Sequence, residues 1–374
     1  MSNFKKTFIT PEKFEEIKHK DLSGPNGWLL FVACNSGLDL AKGVKREYEI
    51  ILRGHESRLV NIPLLNAQVK NGSKLITSVY SDTETCPRLP DSVAGSNAFV
   101  FQSVQELKSG NTVNENLMQL FQMIRVLKVH GANRVTAVTP YFAYSRADKA
   151  TFLKREATNA KLALDLLVTS GVNDVLTYHL HTEAIRGFAE PQARIIALNG
   201  LDLFIDMFPQ FEKNYEIITV STDAGGAKFT KYYADAMGLD YAIANKIRPK
   251  AERTEFLGII GKLEGKKTAI IVDDETVTAR SIKNAVKGLH EEGIQQIYVA
   301  ISHNKIRSQY IDNLIEAHEK YGLIELHVTN TIPQSEEILS LDFVVEHSTN
   351  ERFARVINRL HYNQSISELF YNPE

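Results

Sequence analysis

Short apolar runs alternate with amphipathic segments along most of the chain. The run 269–272 is continuous and rich in β-branched residues, which is typical of a strand buried on both faces, and 29–33 and 135–139 resemble it. Between such runs, apolar side chains recur with helical spacing, as at Leu117, Leu120 and Ile124. Strands alternating with helices of this length predict α/β architecture with mostly parallel sheets and right-handed crossovers.

The alternation restarts near residue 200, and this restart predicts two side-by-side domains with a ligand cleft between them. We place the first domain at residues 1–197 and the second at 198–349, and we expect the terminal helix in 350–374 to pack back on the first. Two polar stretches interrupt the pattern. We expect residues 53–75 to form a loop-rich insertion and residues 245–254 to form a loop.

One stretch carries the strongest chemical signal. The strand 269–272 runs directly into Asp273 and Asp274, then into small hydroxyl residues and an amphipathic helix. In an open parallel sheet, ligands bind where a strand ends and a helix begins, because the free N–H groups and the helix dipole attract phosphate. Adjacent carboxylates suit sugar hydroxyls or a metal-bound sugar. The stretch therefore predicts a sugar-phosphate site, the alternative being an ordinary joint with a solvated Asp pair.

Three further segments are candidates for a site. Asp223 precedes two glycines at a strand–helix joint, where the backbone can approach a ligand closely. His179 and His181 occupy one strand end with a spacing that suits metal ligands, although such a pair is often only polar surface. Positive charge is concentrated around Arg146 and in the 245–254 stretch, where it could stabilise a reacting phosphate.

Composition narrows the class of protein. The chain has 374 residues, 43% of them hydrophobic and 24% charged, which is ordinary for a globular protein. A net charge of −2 gives no general attraction to nucleic acid or to an anionic membrane. Two cysteines without metal-ligand spacing, no signal-peptide core and no long apolar run together predict a cytoplasmic protein.

Taken in order, the segments resemble ribose-phosphate diphosphokinases, the PRPP synthetase family, from about residue 31 to residue 370. The motifs that carry the resemblance are YSDTE (80–84), VNENLM (113–118), TPYFAYSRAD (139–148), HLHTEAIRGF (179–188), VSTDAGGAK (220–228), NKIRPK (245–250), IIVDDETVTARS (270–281), VTNTIP (328–333) and SISELF (365–370). The resemblance implies two phosphoribosyltransferase-like domains. It also implies Mg²⁺-dependent transfer of the β,γ-diphosphoryl group of ATP to the anomeric hydroxyl of ribose 5-phosphate.

The resemblance also implies a role for each matching residue. Catalytic cations would be Lys246 and Arg248, and metal-site residues would be His181 and Asp223. The ATP site would comprise Tyr80, Asp82, Glu84, Arg146 and Asp148. The ribose-phosphate site would comprise Asp273, Asp274, Thr276, Thr278, Ala279, Arg280 and Ser281. In the family, the residues that match Tyr80, Asp82 and Glu84 form an adenine pocket that is contributed by a neighbouring subunit. This implies a homo-oligomer, either a dimer or a multiple of dimers.

The departures from the family pattern are concentrated in the acceptor loop. Val277 stands where the family has an acidic residue and Arg280 where it has glycine. Elsewhere His179 replaces an aspartate and Phe229 a basic residue. Ribose 5-phosphate is the simplest acceptor. The altered loop leaves open a larger acceptor such as ADP-ribose, and a non-catalytic synthetase-associated subunit remains a further alternative. A nucleobase phosphoribosyltransferase would not explain the ATP-side motifs.

Overall fold

The computed structural model describes residues 22–55, 62–66, 77–105, 107, 110–151, 153–250 and 253–369. The first half contains nine strands in the described residues: β1 (Ser23–Gly24), β2 (Gly27–Ala33), β3 (Leu64–Asn66), β4 (Thr77–Val79), β5 (Thr85–Pro87), β6 (Ser96–Phe101), β7 (Arg134–Val138), β8 (Asp174–Tyr178) and β9 (Arg194–Leu198). Seven of them form one sheet in the order β1-β2-β6-β7-β8-β9, with β3 also paired to β2. All pairings in this sheet are parallel except β1 with β2, and β4 and β5 form a separate hairpin.

The second half contains a second sheet of seven strands in the order β12-β11-β10-β13-β14-β15-β16. Its strands are β10 (Ile217–Ser221), β11 (Asp240–Lys250), β12 (Arg253–Ile260), β13 (Thr268–Thr276), β14 (Gln296–Asn304), β15 (Leu323–Thr329) and β16 (Val344–His347). Only the β11–β12 hairpin is antiparallel. Two mostly parallel sheets flanked by helices confirm the predicted architecture.

Helices connect the strands in both halves. They are α1 (Leu38–Gly54), α2 (Val113–Val129), α3 (Asn159–Ser170), α4 (Leu201–Met207), α5 (Ala227–Met237), α6 (Arg280–Glu291), α7 (Asp312–Tyr321), α8 (Glu336–Leu339) and α9 (Asn350–His361). Local sequence sets several of their ends. A capping box between Thr112 and Glu115 begins α2, and Gly171, with a φ of +106°, ends α3 in the left-handed conformation that glycine favours.

One buried apolar layer contains residues from both halves of the chain and packs the two halves together. Phe99 of β6, Phe204 of α4 and Ile270 of β13 belong to the same buried cluster. Helix α9 packs against α1, and Asn358 donates a hydrogen bond to the Tyr48 hydroxyl at 2.8 Å. The division at residues 197 and 198 stays a proposal, since this layer is continuous across it.

The structure corrects part of the predicted element order. Residues 245–254, predicted as a loop, largely belong to strands β11 and β12, because the polar segment pairs with itself as a hairpin. Within the predicted insertion 53–75, the described residues include the short parallel strand β3, which adds to the sheet edge beside β2. Strand β9 and helix α4 were not predicted at all.

Candidate functional site

The acceptor loop is built at the carboxyl end of β13. Residues 268–272 of this central strand are buried, and its end carries Asp273, Asp274 and Thr276. The loop then turns through Ala279, whose φ of +55° is left-handed, into α6. Ala279, the N-cap residue, provides no side-chain hydrogen bond to that helix end, and a helix N-terminus is suited to bind an anion. The predicted residues Thr278, Ala279, Arg280 and Ser281 all lie at this helix end.

The two aspartates have opposite electrostatic environments. Asp274 Oδ2 lies 2.6 Å from His181 Nδ1. Burial works against ionisation of Asp274, but the contact with His181 outweighs it, so the pKa of Asp274 lies well below its ordinary value. Burial and then repulsion by Asp274 raise the pKa of Asp273, whose carboxylate accepts a hydrogen bond from the Thr222 hydroxyl. Asp274 is therefore the more strongly ionised member of the pair.

His181 reaches Asp274 from the first half of the chain, so this contact crosses the cleft. The hydrogen bond that its ring N–H donates to Asp274 raises the pKa of His181. The other predicted metal residue, Asp223, accepts hydrogen bonds from the N–H groups of Gly225 and Gly226 at 2.9 and 3.3 Å. A side chain at Gly226 would clash with Ser221 Oγ, at 2.8 Å from its Cβ, which explains the glycine there.

Within the described ranges, no three His, Cys, Asp or Glu residues are grouped so that they could hold a metal ion by themselves. The donor types nevertheless fit Mg²⁺, which binds through one or two carboxylates and takes its other ligands from phosphates and water. Asp223 and the Asp273–Asp274 pair supply such carboxylates, and Asp223 lies close enough to raise the pKa of Asp273 further.

His179 does not face the same side as His181, contrary to the sequence expectation. It lies just past the end of β8, and its φ of +38° departs from strand geometry, so the strand's alternation of sides does not continue to it. Its Nδ1 shares a hydrogen bond with Ser302 Oγ at 2.5 Å, and its ring lies 4.4 Å from that of Phe229. Two of the departures from the family pattern are thus in contact. His179 is therefore packed between the two halves of the chain, and burial lowers the pKa of its ring.

A second histidine from the other half fixes this turn. The His303 Nε2–H donates to the carbonyls of Tyr178 and His179 at 3.1 and 3.0 Å. Burial lowers the pKa of His303 to about 3, so the ring is neutral at physiological pH. Sequence reasoning missed His303, because nothing in its local pattern distinguishes it from an ordinary strand-end residue.

The predicted ATP-site residues Arg146 and Asp148 lie in one loop, across the cleft from β13, which is the strand that leads into the acceptor loop. Arg146 Nε is 3.1 Å from Glu275 Oε1, and Glu275 immediately follows the two aspartates. Lys149 Nζ lies 3.4 Å from Asp148 Oδ2 within the loop itself. A cavity of about 260 Å³ opens beside it, lined by residues of both halves: Gln105, Val113, Tyr141, Tyr144, Arg146, Ala147 and Lys305.

Tyr80, Asp82 and Glu84 lie in the tight turn between β4 and β5. Asp82 Oδ1 accepts a hydrogen bond from the Glu84 N–H at 3.1 Å, and the Tyr80 N–H donates to the Glu84 carbonyl at 2.9 Å. Thr83 has a φ of +73°, a left-handed conformation that glycine adopts more readily than other residues. All three predicted residues are exposed.

Lys246 and Arg248 lie in the C-terminal half of β11. Lys246 pairs with Phe256 of β12, and the register is irregular on both sides of this part of β11. The side chains of both residues lie outside what the structure describes, so their catalytic role stays a prediction.

The strand, the paired carboxylates and the uncapped helix define a phosphoribosyltransferase-like protein. Residues 29–171 match the N-terminal domain of ribose phosphate pyrophosphokinase, and residues 217–371 match the phosphoribosyl synthetase-associated domain. A ribose-phosphate pyrophosphokinase of Caldanaerobacter subterraneus subsp. tengcongensis is 34% identical over 302 residues, 80% of this chain and 91% of that protein. The enzyme of the same name from Burkholderia pseudomallei is 32% identical over 84% of this chain and 92% of its own length.

A solved structure agrees with the sequence comparison. The phosphoribosylpyrophosphate synthetase of Mycobacterium smegmatis has a TM-score of 0.72 at 26% identity, covering 90% of this chain and 99% of that one. The chain belongs to the ribose-phosphate pyrophosphokinase family. Among the described residues, the structure has no helix with the length and apolarity needed to cross a membrane.

Proposed function

We propose that this protein transfers a diphosphoryl group from Mg-ATP to the anomeric hydroxyl of ribose 5-phosphate, giving 5-phosphoribosyl 1-diphosphate and AMP. The observation that carries the proposal is the contact of Asp274 with His181 across the cleft. It joins the acceptor strand of one half to the half that carries the predicted ATP loop. Family membership supports the same activity, because the relatives are named for it.

Diphosphoryl transfer depends mainly on alignment and on neutralising charge. The ionised Asp274, with Asp273 beside it, would accept hydrogen bonds from the ribose hydroxyls and fix the sugar. The uncapped start of α6, with Thr278 and Ser281, would bind the 5′-phosphate. On the other side of the cleft, Arg146 and Asp148 would receive the ATP phosphates and ribose.

The remaining positive charge would come from the hairpin and from a metal ion. Asp223 and His181 would hold Mg²⁺, directly or through water, and the bound ion would neutralise charge on the diphosphoryl group. Lys246 and Arg248 on β11 would stabilise charge that develops in the transition state. A hairpin that closes only over bound substrates would also exclude water from the reaction.

A second acceptor class, ribosyl 5′-diphosphates such as ADP-ribose, is favoured by one observation. Arg280 is the first residue of α6 and is exposed. A cation at a helix N-terminus is opposed by the helix dipole, and no ion pair with Arg280 occurs within the described part of the chain. An arginine in this position is suited to pair with a second phosphate.

An acceptor panel tests both readings. The purified protein is incubated with Mg-ATP and either ribose 5-phosphate, ADP-ribose or ribose, and the products are identified by mass. We expect AMP together with a diphosphorylated ribose 5-phosphate. Faster turnover of ADP-ribose would establish the second acceptor class. No product with any acceptor would contradict the enzymatic proposal and favour a regulatory subunit that assembles with active synthetases.

We also propose that the protein acts in the cytoplasm as a homo-oligomer, a dimer or a multiple of dimers. The exposed turn at Tyr80, Asp82 and Glu84 supports the oligomer, because it can complete an adenine pocket only by meeting another surface. The unpaired state of Cys34 and Cys86 is compatible with a reducing compartment.

A further inference from the structure

A buried ion pair joins the acceptor strand to the next strand of the sheet. Lys305 Nζ lies 2.6 Å from Glu275 Oε2 and donates a hydrogen bond to the Tyr141 hydroxyl at 3.0 Å. The Glu275 and Lys305 side chains are only 6% and 9% exposed. Tyr141 belongs to the first half of the chain, so the pair also contacts the opposite wall of the cleft.

The second oxygen of Glu275 faces Arg146. Arg146 approaches Oε1 through Nε at 3.1 Å, while 55% of its side chain remains exposed. This approach lacks hydrogen-bond geometry, and Oε1 is a buried acceptor without a hydrogen-bond partner among the described residues. A small rotation of the guanidinium would complete the bond. Polar contacts of this kind are often long without ligand and tighten when the substrate binds.

The contact leaves the rest of the guanidinium available. Arg146 lines the cavity of about 260 Å³ together with Tyr141, Tyr144 and Lys305. When Nε is held from one side, the two terminal nitrogens form a fork of fixed direction that suits a phosphate. The carboxylate therefore restricts the arginine without blocking it.

We propose that Glu275 is a positioning residue, anchored by Lys305, that aims Arg146 at the phosphates of the bound nucleotide. The inference rests on the proposed function, since it requires that ATP occupy this cavity. Glu275 follows Asp274 directly, so a single strand end would hold the acceptor sugar and orient the arginine on the ATP side. The two substrates would then be aligned by one rigid element rather than by two independent loops.

Equilibrium binding of Mg-ATP without acceptor tests the proposal. Glu275→Gln keeps the shape of the side chain and removes its charge, and we expect the Kd for ATP to rise about 10-fold. The KM for ribose 5-phosphate should change less than about 2-fold. Lys305→Met, which removes the anchor, should shift ATP binding in the same direction.

A double-variant cycle separates positioning from general damage. In an Arg146→Ala background, Glu275→Gln should change the Kd for ATP by less than about 2-fold, because the residue through which it acts is gone. The matched control is Asp174→Asn. Asp174 is likewise a buried carboxylate between two cations, Arg134 and Arg194. It lies at the amino end of β8, however, whereas the site lies at the carboxyl ends of the strands. This variant should bind ATP normally.

The outcomes distinguish the two levels of the argument. If the wild-type protein does not bind ATP, the proposed function fails and the inference fails with it. If the wild-type protein binds ATP and forms product while Glu275→Gln is unchanged, only the inference is overturned. Multiplicative effects of Glu275→Gln and Arg146→Ala would also overturn it, because independent contributions exclude action through Arg146.

Discussion

At the scale of single residues, Arg280 is the departure from the family pattern that we expect to change acceptor binding most. A glycine would let backbone N–H groups close around one phosphate, whereas the arginine adds a long cation at the start of α6. Val277, three residues earlier and exposed, removes a negative charge from the same loop. Both changes make the loop more attractive to an acceptor that carries more negative charge than a single phosphate.

We predict that Arg280→Gly separates the two acceptor classes. Loss of a charged hydrogen bond to phosphate costs about 1.5–3 kcal/mol, or roughly 10- to 150-fold in kcat/KM. Activity on ADP-ribose should fall by that factor, and activity on ribose 5-phosphate should be unchanged or improved. Arg280→Lys should be intermediate on ADP-ribose, because it keeps the charge without the fork. Equal losses on both acceptors would show that Arg280 does not read a second phosphate.

The sequence alone placed those candidate residues that directly follow a recognisable strand in the chain. Asp273 and Asp274 directly follow an apolar run that is recognisable as a strand, and their place at the carboxyl end of that strand, ahead of a helix, follows from it. The orientation of His179 could not be predicted, because its ring contacts Ser302 and Phe229, which are distant in sequence. The same holds for Glu275, whose neighbour Asp274 was an obvious signal but whose partners Arg146 and Lys305 were not.

At the scale of elements, the β11–β12 hairpin shows the limit of pattern reasoning. Apolar periodicity identified the central strands, because burial on both faces leaves a clear signature. Residues 245–250 are mostly polar and include a proline, so they read as a loop, although hydrogen bonding within the hairpin makes them a strand. Strand β9 was missed for a different reason, since its short apolar run stands apart from any helix of regular length.

The hairpin also carries the prediction about catalysis. We expect Lys246→Ala and Arg248→Ala each to lower kcat by about 100-fold or more, while the Kd for ATP changes much less, because transition-state contacts affect rate rather than ground-state binding. Single-turnover kinetics and equilibrium ATP binding measure the two quantities separately. Near-normal turnover in both variants would remove these residues from the mechanism.

The seating of α9 leads to a prediction about stability. His361, the last residue of this helix, lies between Asn97 of β6 and the carbonyl of Leu22, with ring contacts of 3.1 Å to each. Burial lowers its pKa from 6.5 to about 4. The folded state therefore binds fewer protons than the unfolded state between these values. Stability is full above about pH 6.5, falls as the pH drops, and levels off below pH 4.

This shift corresponds to about 3 kcal/mol of unfolding free energy at the acid limit. Urea unfolding at pH 7 and pH 4.5 should show the loss in the wild-type protein. The loss should be smaller in His361→Gln, which is less stable at pH 7 but lacks this titration. His303 titrates in the same direction and is unchanged in the variant, so part of the wild-type loss should remain. Identical pH dependence in the two proteins would refute the assignment to His361.

At the scale of the whole molecule, the two halves are joined by polar contacts as well as by the shared apolar layer. Pairs such as His181 with Asp274 and Lys305 with Tyr141 cross the cleft near the site. The half that would hold ATP is therefore tied to the half that would hold the sugar before either substrate arrives. Within the described part of the chain, the turn of Tyr80, Asp82 and Glu84 remains exposed.

Mixed assemblies test whether a second subunit provides the other side of that turn. If Asp82 serves the site of a neighbouring chain while Arg248 serves its own, an Asp82→Ala protein and an Arg248→Ala protein each lack activity alone. After subunit exchange, some sites would combine a native turn from one chain with a native hairpin from the other. We expect up to about a quarter of wild-type activity if two equivalent sites form in a random mixture of dimers. Activity of an unmixed, strictly monomeric wild-type protein would contradict the shared pocket, and so would a mixture that exchanges subunits without regaining turnover.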